Sequence, residues 1–296
     1  MTLHTLQTLL RSVPPFEFDL SLKFLAQFPI TEGEQQFEPH ILSKAFIVGD
    51  QPVLCRLESR GKVESPLLRC TLWATNPIDQ AAAEDRLRFY LSLDDQLQPF
   101  YDLVWDDPPF ARLVNQLYGY HQVKFPTPFE ATCWAILSQR VPMAVARQMK
   151  RKLLAQFGRS LTVEGQDYWA FPTPAGILTA DPAQLGSTIG NERKTGYIQA
   201  AAQAFAQADE QWLRHGPLEE VRAWLQAIKG IGDWSAGLVL IRGLGRMTQF
   251  EIVGEKRTME AINQVYGPTR PEIAQQIIGR YADWQGYWIH YLRFGA

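Results

Sequence analysis

The repeat distance of the apolar residues changes once along this chain, and that change limits the folds open to it. At residues 16–22 and again at 68–74, apolar and polar residues alternate, which is typical of half-buried strands. Between these stretches, the apolar segments 44–48 and 52–58 flank Gly49-Asp50, a residue pair typical of turns. Residues 16–75 are therefore predicted to form an antiparallel sheet.

After the sheet, apolar residues recur at intervals of three and four, which predicts amphipathic helices. Helices are expected near residues 79–93, 129–137, 142–158, 221–228, 234–241, 255–265 and 273–281, and the last segment, 284–294, is dense in aromatic residues. Two aspartates and two prolines at 106–109 mark the best boundary between the two parts. We expect an α+β fold in which residues 1–106 form an N-terminal antiparallel sheet with helices and residues 107–296 form an all-α core.

Composition narrows the class of protein. The 296 residues include 29 Lys and Arg against 31 Asp and Glu, a formal net charge of -2, and 46% are hydrophobic. This balance excludes a disordered chain and a strongly basic nucleic-acid binder. Three scattered cysteines, Cys55, Cys70 and Cys133, favour neither a disulfide framework nor a metal centre. With no signal peptide and no apolar run of about 18 residues in the sequence, we expect a cytoplasmic protein without a membrane partner.

The most informative stretch is LQAIKGIGDWSAGLVLIRGLG, at residues 225–245. An amphipathic helix ends near Lys229, Gly230-Ile231-Gly232 forms a turn, and a second helix begins near Asp233. Unpaired backbone amides at the start of the second helix form an anion site suited to a DNA phosphate. Ile231 is predicted to pack between the two helices. A glycine-rich hairpin that only packs two helices together is the alternative interpretation.

KGIGDWSA at 229–236 resembles the helix-hairpin-helix of the HhH-GPD superfamily of DNA glycosylases. PFEATCWAILSQRVPMAVARQMKRKLLAQFG (128–158), FPTPAGILTADPAQLGSTIGNERKTGYI (171–198) and RGLGRMTQF (242–250) are similar to segments of its bacterial 3-methyladenine DNA glycosylase II members. The resemblance covers about residues 90–294 and implies that the all-α part is a helix-hairpin-helix glycosylase core. The N-terminal sheet would match that family's small α+β domain.

The resemblance implies an enzyme that flips an alkylated or otherwise damaged purine out of double-stranded DNA and hydrolyses its N-glycosidic bond. Trp234 stands where lyases of the superfamily carry a Schiff-base lysine, so a monofunctional enzyme is expected. The residues expected to line the base pocket are Trp234, Leu238, Trp284, Tyr287 and Trp288. Packing in the core is the alternative role of each aromatic ring.

The same resemblance implies a set of DNA contacts. They are Gln139, Arg140, Lys229, Gly230, Ile231, Gly232 and Asp233. Arg140 matches the position that wedges into the gap left by the flipped nucleotide. Alternatively, its side chain could stack on bases, contact a phosphate or lie in solvent as an ordinary turn residue. No cofactor is expected to be required, and a monovalent cation, Na or K, is expected on the backbone carbonyls of Lys229 and Gly232. A monomer is expected.

One departure from the family concerns catalysis. The family's catalytic aspartate follows the hairpin at a fixed spacing, and that position is Gly254 here. Glu255 is the first candidate to replace it and Glu251 is the second, since a carboxylate can stabilise a cationic sugar or orient water. Glu255 could instead favour the start of the 255–265 helix through the helix dipole. A catalytically silent or altered DNA- or lesion-binding protein of this fold is the alternative function.

Overall fold

The computed structural model describes residues 2–31, 34–247 and 256–296. An antiparallel five-stranded sheet occupies the N-terminal part, with the strand order β1-β5-β4-β3-β2. Its strands are β1 (His4–Arg11), β2 (Gln35–Glu38), β3 (Ile41–Val48), β4 (Gln51–Ser59) and β5 (Leu67–Ala74). The predicted strands at 44–48, 52–58 and 68–74 are confirmed, and Gly49, with φ of 58°, makes the turn between β3 and β4.

The strand predicted at 16–22 is wrong, because these residues begin helix α1 (Phe18–Gln27). The Glu17 carboxylate accepts the Asp19 amide at 3.2 Å and so caps this helix. The positions buried by the helix, Phe18, Ser21, Leu22 and Leu25, follow helical spacing. Alternation of apolar and polar residues over seven positions does not distinguish a strand from a helix when either would bury most of the apolar residues. Strand β1, which the sequence analysis does not predict, pairs with β5 instead.

Helices make up most of the remaining chain. They are α2 (Gln80–Leu91), α3 (Gln98–Val104), α4 (Pro108–Gln116), α5 (Pro128–Leu137), α6 (Met143–Phe157), α7 (Pro174–Leu178), α8 (Pro182–Ile189), α9 (Glu192–Ala206), α10 (Glu210–His215), α11 (Leu218–Ala227), α12 (Asp233–Leu238), α13 (Lys256–Tyr266), α14 (Pro271–Gly279) and α15 (Gln285–Gly295). Each predicted helix corresponds to one of these, which confirms the α+β class. None of the helices in the described residues has the length and apolar character needed to cross a membrane.

The helical part also contains a two-stranded hairpin that the expected all-α core lacks. Strands β6 (Arg159–Val163) and β7 (Gln166–Ala170) are joined by Glu164 and Gly165, whose φ angles are 54° and 81°. Two successive positive φ angles are typical of a tight hairpin turn. Leu161 and Val163 pack against Leu54 of the N-terminal sheet, so the hairpin connects the two parts of the fold.

An aromatic core lies between the segments that flank the expected boundary. Phe100 of α3 packs near Tyr281, Tyr287 and Tyr291 of the C-terminal segment, with ring centroids 5.1 to 6.0 Å apart. Residues on both sides of position 106 therefore share one core, and the division at 106 stays a prediction.

Candidate nucleic-acid interface and base pocket

The hairpin predicted from the sequence lies between α11 and α12. Gly230 has a φ of 93°, and a Cβ built there would lie 2.3 Å from Cγ of the Tyr197 ring. Both the backbone conformation and the approach of Tyr197 therefore require glycine at 230. Ile231 is buried in the main helical core, as predicted. Gly232 differs from Gly230, because its φ is negative and a Cβ there would meet open space.

The N-terminus of α12 is open to solvent. Gly232 occupies the N-cap position, and no side chain caps the first amides of the helix. The exposed Asp233 carboxylate accepts a hydrogen bond from Gln226 Nε2 at 2.5 Å, which holds it to the α11 side. Lys229 is exposed in the same turn. Uncapped amides at a helix start attract an anion through their N–H groups and the helix dipole.

A second turn, residues 138–142 between α5 and α6, is tied to this hairpin. Gln139 Nε2 donates to the Gly230 carbonyl at 2.8 Å and to Ser235 Oγ at 3.1 Å. Arg140 follows with an exposed side chain and a φ of 52°. The two turns that the family resemblance assigns to DNA therefore lie side by side, and Gln139 serves to join them.

Lys194 of α9 also stabilises the turn at residues 138–142. Its Nζ donates to the carbonyls of Ile136, Leu137 and Gln139, each at 2.8 Å. The Ile136 and Leu137 carbonyls belong to the C-terminal end of α5, where the helix dipole favours a cation, and the Gln139 carbonyl lies in the turn that follows. Burial lowers the pKa of Lys194, and the three carbonyls take up all three of its N–H donors.

The pocket residues predicted on α12 lie on one face. Trp234 is 58% exposed, Leu238 one turn later is half-buried, and Arg242 follows on the π-helical turn Val239–Gly243. We call Trp234, Leu238 and Arg242 the pocket stripe. Leu238 packs against a small buried cluster of Phe125, Ala131, Trp134 and Ala146, and Phe28 and Val141 pack against the same cluster.

The aromatics predicted at the C-terminus occupy a different region. Tyr287 and Trp288 are buried in the aromatic core around Phe100, and the half-buried Trp284 packs against the same core. The Trp288 indole donates to the Tyr266 hydroxyl at 3.1 Å, and the Tyr287 hydroxyl donates to Asp95. The structure therefore does not bring these three rings to Trp234, and their role in a base pocket stays a prediction.

Side chains on another face of α15 pack against Phe24, and Phe24 in turn contacts Arg242 of the pocket stripe. His290 and Phe294 lie 5.2 and 5.6 Å from the Phe24 ring, and Phe24 stacks on Phe28 at 5.1 Å. Both α1 rings contact the Arg242 guanidinium, with Cζ 4.9 Å from Phe24 and 4.8 Å from Phe28.

Sequence reasoning misses Phe24, Phe28 and Arg242 for identifiable causes. The strand assigned to 16–22 conceals the helix that presents the two phenylalanines. Arg242 follows Trp234 and Leu238 at intervals of four, so the helical spacing of the stripe is the signal that points to it.

The candidate catalytic loop is not described. Glu251, Gly254 and Glu255 lie outside the described residues, so the assignments of Glu255 and Glu251 stay predictions. Within the described ranges, no group of three or more His, Cys, Asp or Glu side chains is placed to hold a metal ion.

Comparison with known proteins identifies the family. The model of the HhH-GPD superfamily base excision DNA repair protein matches residues 133–280. A DNA-3-methyladenine glycosylase of Bacillus subtilis is 28% identical over 302 residues, covering 99% of this chain and 98% of that protein. The 3-methyladenine DNA-glycosylase from Archaeoglobus fulgidus has a TM-score of 0.78 at 21% identity, covering 97% of each chain.

A further solved structure shares the fold. The 8-oxoguanine glycosylase/lyase from Clostridium acetobutylicum, in complex with double-stranded DNA, has a TM-score of 0.69 at 14% identity and covers 99% of this chain and 97% of its own. Since the family model covers half of the 296 residues, as the motifs around the hairpin predict, this chain belongs to the HhH-GPD superfamily of base excision DNA repair proteins.

Proposed function

We propose that this protein is a DNA glycosylase that flips an alkylated or otherwise damaged purine out of double-stranded DNA and hydrolyses its N-glycosidic bond. The observation that carries the proposal is the pocket stripe, which begins with exposed Trp234 directly after the uncapped N-terminus of α12. Helix α12 thus presents an anion site at its N-terminus directly beside the pocket stripe. Base flipping requires both a phosphate contact and a surface that receives the base. The relatives from Bacillus subtilis and Archaeoglobus fulgidus carry the name of 3-methyladenine glycosylases.

DNA binding begins at the two joined turns. A backbone phosphate binds the open amides that follow Gly232, while Arg140 enters the duplex at the gap left by the flipped nucleotide. Gln139 keeps the distance between these two contacts constant, because its side chain bonds directly to the Gly230 carbonyl. All of these groups belong to one chain, so the proposed active unit is a monomer bound to a duplex with a damaged base.

The flipped purine then stacks on Trp234 and enters along Leu238. Stacking of one base on an aromatic side chain contributes about 1–3 kcal/mol. Because the free protein already exposes 58% of Trp234, this contact needs no local unfolding.

Hydrolysis proceeds without a lyase step. The Schiff-base position carries Trp234, and the nearby Lys194 is unavailable as a nucleophile because three carbonyls hold its ammonium group. Glu255 is the proposed carboxylate that stabilises the developing sugar cation and orients water, with Glu251 as the second candidate.

The hairpin carbonyls of Lys229 and Gly232 are the proposed holders of a monovalent cation, Na or K. The Gly232 carbonyl accepts the Ala236 amide at 2.9 Å and retains a second lone pair. A bound cation would supply positive charge beside the phosphate. The enzyme requires no other cofactor in this proposal.

A lesion-binding protein without catalysis is the second candidate function. The observation that favours it is Gly254 at the position of the family's catalytic aspartate. Such a protein would keep the hairpin and the pocket stripe but would not break the glycosidic bond.

Release of free base separates the two functions. Purified protein is incubated with duplexes that each hold one damaged purine, and the released base is measured by mass spectrometry. We expect release by the wild type, a strong loss in Glu255→Gln and a smaller loss in Glu251→Gln. An unchanged rate in Glu255→Gln overturns the role of Glu255. Binding without release from any duplex supports the silent binder, and a covalent adduct trapped by borohydride overturns the monofunctional assignment.

A further inference from the structure

Arg140, the residue proposed to enter the duplex, has a backbone conformation that arginine rarely adopts. Its φ of 52° lies in the left-handed region, where the Cβ of an ordinary residue crowds its own backbone. Such a conformation costs free energy and persists only where neighbouring groups hold it, and it is enriched at binding sites. The groups that hold Arg140 therefore indicate how its side chain is directed.

The residue before Arg140 is fixed at two points. The Gln139 carbonyl accepts a hydrogen bond from Lys194 Nζ at 2.8 Å. The Gln139 side chain donates to the Gly230 carbonyl and to Ser235 Oγ. The Gln139 carbonyl belongs to the planar peptide unit that links Gln139 to Arg140, so the bond from Lys194 also fixes the direction of the Arg140 N–H. Lys194 thus sets the orientation of the peptide from which the φ of Arg140 is measured.

Lys194 is itself held in one orientation by the end of α5. The residue is buried, and its Nζ also donates to the carbonyls of Ile136 and Leu137 at 2.8 Å each. An ammonium group has three N–H donors, and the three carbonyls use all of them. The Lys194 ammonium group therefore joins the last turn of α5 to the turn that carries Arg140.

Helix α9 contacts the hairpin as well. The Tyr197 ring, about one turn after Lys194, lies against Gly230, where a built Cβ would be 2.3 Å from the ring Cγ. The first two turns of α9 thus contact both segments proposed to touch DNA, through Lys194 at residues 138–142 and through Tyr197 at the hairpin. The position of the Arg140 turn relative to the hairpin is therefore set by contacts with one helix.

We propose that Lys194 is a positioning residue for base flipping. It holds the peptide before Arg140 so that the Arg140 side chain enters the gap left by the flipped nucleotide. The proposal rests on the function proposed above, from which it takes the role of Arg140, and it adds the group on which that role depends. Lys194 itself does not contact DNA. Its removal should weaken binding to a duplex with a gap much more than binding to an intact duplex.

The test compares two duplexes of the same sequence, one intact and one with a single uncleavable abasic analogue. Fluorescence anisotropy gives the dissociation constant for each duplex, and the ratio of the two constants measures how strongly the protein prefers the gap. A 2-aminopurine base beside the analogue reports entry of a side chain into the gap, because its fluorescence changes when its stacking changes. The variants are Lys194→Met, Arg140→Ala and the double variant.

We expect Lys194→Met to lower the preference for the abasic duplex about tenfold, since the left-handed conformation of Arg140 is then no longer held. Arg140→Ala should lower it by a similar factor. The double variant should lower it no further, because both changes remove the same insertion. The change in 2-aminopurine fluorescence should shrink in all three variants. Arg193→Met is the matched control, since it removes an equal charge at an exposed position one residue earlier, and it should leave the preference unchanged.

An unchanged preference in Lys194→Met overturns the proposal while leaving the role of Arg140 intact. A double variant whose loss equals the product of the two single losses also overturns it, because Lys194 would then act independently of Arg140. If Arg140→Ala leaves the preference unchanged, the role of Arg140 fails and that of Lys194 fails with it.

Far-UV circular dichroism verifies that each variant is folded. If Lys194→Met does not fold, Lys194→Gln takes its place with the same expected loss, since it keeps two donors on a shorter side chain. Both duplexes are measured by binding alone, so a failure of the proposed hydrolysis is detected separately, by the release of free base, and does not alter this test.

Discussion

Lys150 and Arg242 are both cations in apolar surroundings, yet their partners differ completely. Lys150 contacts Glu34 and lies 2.9 Å from Glu130 Oε1, while Lys44 lies 3.5 Å from Glu34. Although burial lowers it, the charges of Glu130 and Glu34 raise the pKa of Lys150 overall. For Arg242, burial is the leading influence on its pKa, and no described carboxylate opposes it.

This difference separates an ion-pair cluster from a buried cation that no described carboxylate balances. Two lysines and two glutamates form the Lys150 cluster and balance each other's formal charges. Arg242 contacts two aromatic faces, and its buried Nε has no hydrogen-bond partner among the described residues. The predictions below test whether the two regions differ in this way.

The largest expected effect is on the Lys150 cluster. Lys150→Met leaves two buried carboxylates with too little positive charge, so the free energy of unfolding should fall by about 3–5 kcal/mol. Urea denaturation measures the change. Lys152→Met, at an exposed position on the same helix, should stay within about 0.5 kcal/mol of the wild type. Equal stability of the two variants would show that the cluster is not a closed ion-pair site.

The second largest expected effect is a loss of stability from substitution in the hairpin between α11 and α12. Gly230→Ala forces a Cβ against the Tyr197 ring at a φ of 93°, so it should lower the free energy of unfolding by about 2–4 kcal/mol. Gly232→Ala is the matched control, since its Cβ meets open space, and it should cost less than about 1 kcal/mol. Thermal unfolding of both variants measures the contrast. Similar losses at the two glycines would contradict the distinct roles assigned to them.

The particular errors of the sequence analysis show what one sequence can specify. The helices, the β3–β4 turn and the burial of Ile231 follow from local spacing and turn residues, and these predictions are confirmed. The α1 helix is missed because alternation over seven residues fits two structures. Tyr287 and Trp288 show a further limit, since a dense aromatic segment does not reveal which face of α15 meets the core.

Long-range polar contacts are the part that sequence cannot supply. Gln139 reaches the Gly230 carbonyl across 91 positions, and Lys194 reaches α5 across more than 50. No local pattern encodes either contact, because each depends on how separate helices pack. The aspartate position at Gly254 is visible from spacing alone, whereas the geometry of Glu255 depends on residues outside the described ranges.

A smaller effect is expected on DNA affinity. Gly232→Asp places a carboxylate at the uncapped start of α12 and should weaken duplex binding about tenfold, because it repels phosphate. Fluorescence anisotropy at low and moderate salt measures this loss, which should shrink as salt rises. Gly186→Asp makes the same charge change at another glycine with open space around it and should bind normally. Equal affinity of Gly232→Asp and the wild type would count against the hairpin as a phosphate site.

The smallest effect is the most direct test of the contrast between the two regions. This effect is the difference in free energy of unfolding between Arg242→Met and the wild type, measured by urea denaturation. We predict a value within about 1 kcal/mol of the wild type, because methionine can pack against Phe24 and Phe28 in place of the guanidinium and removes a buried charge that no described carboxylate balances. A loss of about 3–5 kcal/mol, as expected for Lys150→Met, would contradict the account and make Arg242 a structural residue.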